Sequence, residues 1–355
     1  MQKSRIGIVG TGWRAGFFAK IAGHLPELFD VAGLVYRSEA GKERAAGWGL
    51  PPLGSQEALA DLDPDFVVLC ADRENMENLL RWYSGRDMPV LAETFAADNV
   101  ETLRRLHGEL AGKRIQVAEQ YPFQPLNAAR IALAESGLLG KIYQIQTSLP
   151  NGYHAVSVQR RLLGTGRKRP VLRANRYSHR MVNGPGRGGD PVEEKLVEVK
   201  QTLFQLDWGD VQALNDLEDN QHRSLVRTQH WLIRGERGEL RGEDVLYLKD
   251  IVTPCHFTLE RVMAGAGPNL EGLYLRGVRG GERGWYYRNP FMPARLMDDE
   301  IAAATSLLKM AEYVRGGESF YPLVEEIMDL YLTLMIEEAI REGKALEIPA
   351  QPWTE

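Results

Sequence analysis

Residues 6–16 read IGIVGTGWRAG, a short apolar run that breaks into a glycine turn and then into the helical pattern of Phe17, Phe18, Ala19 and Ile21. Gly10 permits the tight exit from a strand, Gly12 lets backbone N–H groups approach a pyrophosphate, and Ala15 is small enough for the following helix to pack on the sheet. The positive end of that helix then faces the phosphates. A chain that opens this way is expected to begin with a parallel α/β unit around a dinucleotide site. The alternative is an incidental glycine turn. Trp13 and Arg14 lie within the same turn and join Gly10, Gly12 and Ala15 as candidate cofactor contacts, with Ala71 after the third strand candidate.

The pattern that follows extends the α/β reading. Strand candidates at 5–9, 30–36, 66–70, 89–92 and 115–119 alternate with helical patterns such as 99–111, and the spacings suit the long crossovers that parallel strands need. A doubly wound parallel sheet is expected, with ligands at the carboxyl ends of its strands. At 355 residues the chain exceeds what one core usually supports. We expect a Rossmann domain at 1–122 and an α+β domain with an open, mostly antiparallel sheet at 123–355.

QYPFQP at 120–125, with its two prolines, suits a linker. Strand patterns at 141–148, 201–206, 211–217, 230–234 and 245–248 follow, and helices are expected over 300–314 and 323–342. Residues 167–189 hold six arginines among glycine and proline and lack apolar periodicity. They read as a solvated loop, with a phosphate or partner site as the alternative.

A net charge of -5 gives no electrostatic reason to expect nucleic acid as a partner. Cys70 and Cys255 are too few and too far apart for a disulfide framework or a metal knuckle, so no metal site is expected. The start MQKSRIGIVG lacks the apolar core of a signal peptide, and no apolar stretch approaches membrane-spanning length. A cytoplasmic protein without a membrane partner is the resulting expectation.

The second strand of such a unit normally ends on a carboxylate that binds the ribose of NAD. Here it ends Val35-Tyr36-Arg37-Ser38, with no carboxylate until Glu39. Arg37 and Ser38 are suited to a 2'-phosphate, so NADP(H) is expected to be preferred over NAD(H). The other reading makes Arg37 a solvated turn residue.

Taken together, GTGWRAG at the start, VLAET at 90–94, VAEQYPFQP at 117–125, GLLGKI at 137–142, GYHAVSVQRRLLG at 152–164, RGERGEL at 234–240 and the closing helix from 321 resemble the Gfo/Idh/MocA oxidoreductases. That resemblance implies hydride transfer between a nicotinamide and a small, sugar-like, polyol or keto substrate. It also implies a homodimer or homotetramer formed through the outer face of the open sheet. Most members carry Glu-Lys-Pro after the fourth strand. Here Glu93, Thr94 and Phe95 stand there, so the lysine is missing while Glu93 is left to position the nicotinamide end. Most also carry Asp-x-x-x-His on a helix. This chain has Pro150 at the aspartate position and keeps His154.

His154 is therefore the candidate catalytic acid or base, since an imidazole serves in either direction near neutral pH. The Gly152-Tyr153 junction before it suggests an accessible position, with Tyr153 beside the substrate. Tyr121, with Glu119, is the next proton donor to consider, a domain hinge being their ordinary role. DNQHRSLVR at 219–227 offers Gln221, His222 and Arg227 to substrate hydroxyls or a carboxylate, or else forms a surface hairpin. Two further readings remain open: an imine reductase of the thiazolinyl imine reductase type, and a non-catalytic nucleotide-binding sensor or scaffold.

Overall fold

The computed structural model describes residues 2–95, 97–186, 188–265 and 272–355. From the N-terminus, β1 (Ser4–Val9), α1 (Trp13–His24), β2 (Phe29–Val35), α2 (Glu39–Gly47), β3 (Pro52–Leu53), α3 (Gln56–Ala60), β4 (Phe66–Leu69), α4 (Arg73–Ser84), β5 (Val90–Ala92), α5 (Val100–Leu110) and β6 (Ile115–Val117) alternate without interruption. The strands are short apolar runs, and Ile6, Ile8, Phe66, Val67, Val68, Leu91 and Val117 have no exposed surface. Burial on both faces is what a parallel sheet covered by helices demands. All six strands pair in parallel in the order β3-β2-β1-β4-β5-β6. The order reverses between β1 and β4, and a ligand crevice belongs outside their carboxyl ends.

The chain continues through a 3-10 turn (Tyr121–Phe123), α6 (Pro125–Glu135), β7 (Ile142–Thr147), α7 (Gly152–Leu163), β8 (Val171–Val182), β9 (Leu196–Asp207), β10 (Gln212–Glu218), β11 (Trp231–Gly235), β12 (Gly238–Arg241), β13 (Asp244–Leu248), β14 (Pro254–Thr258), β15 (Glu260–Ala264), β16 (Tyr274–Gly280), β17 (Gly284–Arg288), α8 (Asp298–Val314), α9 (Leu323–Glu342) and β18 (Leu346–Glu347). The segment expected as a linker is thus the 3-10 turn and the first residue of α6. A nine-stranded sheet runs β14-β13-β12-β11-β7-β10-β9-β8-β18, and β15-β16-β17 form a smaller one. Among the described residues of the large sheet, only β7 and β10 are parallel neighbours.

One face of the large sheet is buried, at Ile145, Thr147, Ala213, Asn215, Trp231 and Ile233 among others. The alternate residues Gln144, Gln146, Leu214, Asp216 and Arg234 are partly exposed. Residues 171–182, within the stretch expected as a loop, are instead β8. Its periodicity was hidden because the strand is solvated on both sides over most of its length, so arginines alternate with other polar groups rather than with core residues.

The chain resolves into two units. One comprises Met1–Ala128, Arg261–Val278 and Tyr287–Glu326; the other comprises Ala129–Glu260, Arg279–Tyr286 and Ile327–Glu355. The first unit takes in α8, whose Ile301, Ala304, Leu307, Met310 and Ala311 share a core with Phe18, Ile21, Ala22 and Leu25 of α1. No helix among the described residues is long and apolar enough to cross a membrane.

Candidate active site

At the reversal point of the parallel sheet lies a cavity of about 780 Å³. Gly10, Gly12, Arg37, Ser38 and Ala71, proposed from the sequence, all line it. Gly10 has φ +112°, and a Cβ there would stand 2.3 Å from the Cys70 carbonyl oxygen. This position needs glycine twice over, for its left-handed backbone and for the close pass of β1 by β4. At Gly12 a Cβ would meet nothing within 4 Å, so the backbone faces open space.

The helix that starts there differs from its neighbours. Side chains of Ser38, Ser55, Asp72 and Asn99 cap α2, α3, α4 and α5 by accepting from a backbone N–H in the first turn. Gly12 caps α1 without any side chain, and the first turn of α1 holds no acid. Its N–H groups and its positive end are left for an anion. Arg44, not foreseen, donates from Nε to the Thr11 carbonyl at 3.0 Å and so braces the turn. Cys70, Asp72, Asn75, Asn78 and Trp82 also line the cavity and were not foreseen, because only folding brings α4 beside the glycine turn. Burial pushes the Cys70 thiol well above its ordinary value, and the carboxylate of Glu93 acts in the same direction.

Arg14 and Glu93 meet at the carboxyl ends of the strands. Arg14 Nε lies 2.8 Å from Glu93 Oε2, both side chains being largely buried, and Arg14 also donates to Gln120 Oε1. Burial opposes the charge of Arg14, but the Glu93 carboxylate outweighs it and holds the guanidinium above its usual value. Glu119 is fully buried and accepts from the Tyr121 N–H at 2.9 Å, which fixes the 3-10 turn. Ala15 is buried in the first turn of α1, whereas Trp13 is 63% exposed.

In the second unit, a buried polar chain sets where α7 begins. Gln159 donates to Thr147 Oγ1 at 2.9 Å, Thr147 donates to Asn215 Oδ1 at 2.7 Å, and the same Oδ1 accepts from the Leu149 N–H at 3.0 Å. The loop after β7 is thereby tied to β10, and Tyr153 and His154 follow in the first turn of α7. Their rings lie 4.3 Å apart between centroids. His154 is only 7% exposed, so the accessible junction suggested by the sequence is a mostly covered one. In the segment after β10, Gln221 accepts from Glu218 N–H and donates to the Thr228 carbonyl, so its amide shapes the loop. Arg227 lies 3.2 Å from Glu218, and His222 is exposed. Trp231 is buried under the Arg130 guanidinium. No group of three or more His, Cys, Asp or Glu is placed to hold a metal among the described residues.

No family model matches the sequence, and no curated protein matches it. Solved structures do match its fold. Levoglucosan dehydrogenase in complex with NADH and levoglucosan aligns with a TM-score of 0.67 at 13% identity, over 98% of this chain and 100% of that one. An oxidoreductase from Agrobacterium radiobacter in complex with NAD+, L-tartaric acid and magnesium aligns at 0.65 and 15%, over 98% of each chain. A myo-inositol dehydrogenase from Corynebacterium glutamicum aligns at 0.65 and 15%, over 98% of this chain and 100% of that one. The chain has the fold of these solved oxidoreductases.

The expected preference for NADP(H) is corrected by both lines of observation. Several of the similar structures are complexes with NAD+, NAD or NADH. In this chain the two groups read as phosphate ligands are already engaged: Ser38 Oγ accepts from Gly41 N–H as the cap of α2, and Arg37 Nη2 pairs with Asp72 at 2.9 Å. Hydrogen bonds from Asn75 and Arg37 hold the Asp72 carboxyl below its ordinary range, which keeps a carboxylate on the cavity wall beside Arg37.

Proposed function

We propose that the protein is an NAD(H)-dependent oxidoreductase that transfers hydride to or from a sugar-like, polyol or keto substrate. The observation that carries this reading is the uncapped α1 N-terminus behind Gly10 and Gly12, opening on a cavity at the sheet reversal. Those residues fit a dinucleotide: the turn can pass close to a pyrophosphate, the α1 N–H groups can receive it, and the walls near Arg37, Asp72 and Trp82 can take the adenosine end. A bound nicotinamide would supply the hydride acceptor or donor. Glu93, fixed by Arg14, stands at the end of β5 to orient it, and His154 moves the proton at the substrate oxygen. Arginine stays charged at any working pH, so Arg14 holds its geometry whichever way the proton travels.

Titration of NADH by protein fluorescence tests the reading. Wild-type protein should bind NADH, and Gly10→Ala should weaken that binding steeply, because the added Cβ strains the backbone by about 1–3 kcal/mol and pushes Cys70 out of place. Unchanged NADH affinity in Gly10→Ala would remove the site from this cavity. A second titration addresses the choice of cofactor. NADH should bind more tightly than NADPH, and Asp72→Asn should narrow the gap by removing the wall charge and releasing Arg37. A gap left as wide as before would show that Asp72 does not set it.

A further inference from the structure

Two amide side chains on the wall of the cavity at the sheet reversal are uncommitted. Thr11, Arg37, Ser38, Arg44, Asp72 and Asn75 also line that wall, and each of their side chains is already bonded within the protein. Gln56 and Asn78 line it too, yet their side chains make no hydrogen bond among the described residues. Both are carried by docked helices. Gln56 opens α3, whose first turn is capped by Ser55 and whose fully buried Leu59 packs on Gly7 of β1. Asn78 lies on α4, which is anchored by the fully buried Leu80 and Tyr83.

The same cavity has an apolar wall, formed by Leu79 and Trp82 of α4 with Val35 at the end of β2. Arg86 clamps the indole from one side: its Cζ lies 3.7 Å from the ring centroid, and its Nη1 donates to the Trp82 carbonyl at 3.2 Å. Asn78 and Trp82 are four residues apart and share one face of the helix. A held indole and uncommitted amides together suit a heteroaromatic base. Stacking accepts any base, because every base has a π-face. An amide reads the edge instead, since it presents a donor group and an acceptor side by side.

Adenine carries an amino donor next to a ring-nitrogen acceptor, the pattern that an Asn or Gln side chain matches with two hydrogen bonds. The glycine turn and the α1 N-terminus meet the pyrophosphate alone and carry no information about the base.

We propose that Gln56 and Asn78 hold the amino-bearing edge of adenine, which makes this cavity selective for the base of its dinucleotide as well as for the pyrophosphate. The proposal rests on the reading of the cavity as a dinucleotide site. It does not depend on the substrate or on turnover.

Calorimetric titration with NADH, and with the NADH analogue in which hydrogen replaces the adenine amino group, tests it. Wild type should bind NADH at least about fivefold more tightly than the analogue, the low end of what a two-bond amide–base pair contributes. The double variant Gln56→Leu with Asn78→Leu should bring NADH down to the level of the analogue and leave the analogue unchanged. Trp82→Ala should instead weaken both compounds alike, because stacking does not sense the amino group. Equal wild-type affinities for the two compounds overturn the proposal without any variant. So does a preference that survives the double substitution, which would place the reader of the base elsewhere. Failure of the wild type to bind either compound would remove the dinucleotide site and the proposal with it, a result distinct from equal binding of both.

Discussion

His154→Ala is expected to lower kcat by about 10²- to 10⁴-fold, the usual contribution of a general acid or base, while NADH affinity stays nearly unchanged. The expectation combines position with the loss of the lysine and aspartate that the family resemblance implies. His154 lies in the first turn of α7, and the loop leading into that turn is tied to β10 through Asn215. The imidazole is thus held on a fixed element. Thr94 and Pro150 occupy the positions where the family resemblance implies a lysine and an aspartate, so neither of those groups shares the proton with the imidazole. His154→Gln, which keeps a hydrogen-bonding group without a titratable proton, should behave like the alanine variant. Steady-state rates with a polyol panel, measured beside an NADH titration of each variant, check this. Full turnover in His154→Ala would move the proton to another donor, with Tyr121 the first to examine. An active wild type would itself set aside the reading of a non-catalytic sensor or scaffold.

Much of the parallel sheet was legible because its strands are buried on both faces, and an unbroken apolar run such as Phe66–Leu69 has few other uses. The glycine turn was legible because backbone geometry restricts residue type so strongly at Gly10. Other features depend on tertiary neighbours. The period of α8 announced a helix, but only folding shows that its apolar face shares the core of α1. Arg37 and Ser38 were read as free for a phosphate. Ser38 caps its own helix, and Arg37 is paired by a carboxylate far along the chain. A side chain's chemistry is written in the sequence, whereas its availability is set by what else reaches it. Strand β8 was obscured for a related reason: a strand without a buried face leaves no apolar alternation to read.

Asp329→Ala is expected to be among the most destabilising single changes in the second unit. Arg160 of α7 and Asp329 of α9 are 4% and 0% exposed, and Nη1 donates to Oδ1. The Gly166 carbonyl also accepts from this guanidinium, at 2.9 Å from Nε and 2.6 Å from Nη2. That carbonyl cannot neutralise a full charge. Removing the carboxylate takes a buried charge partner away from a buried cation, a loss of about 3–5 kcal/mol in measured cases. For units of this size that corresponds to a fall in Tm of roughly 10 °C. Asp329→Asn should lose nearly as much, because an amide keeps the shape and a hydrogen bond but not the charge. The double variant Arg160→Met with Asp329→Leu should recover most of the loss, since exchanging a buried ion pair for apolar groups of similar volume is often close to neutral. Thermal unfolding of the three variants separates the two possible roles of the pair. Equal destabilisation in the double and single variants would mean that α7 and α9 need the hydrogen bonds of this pair, beyond the cancellation of its charges.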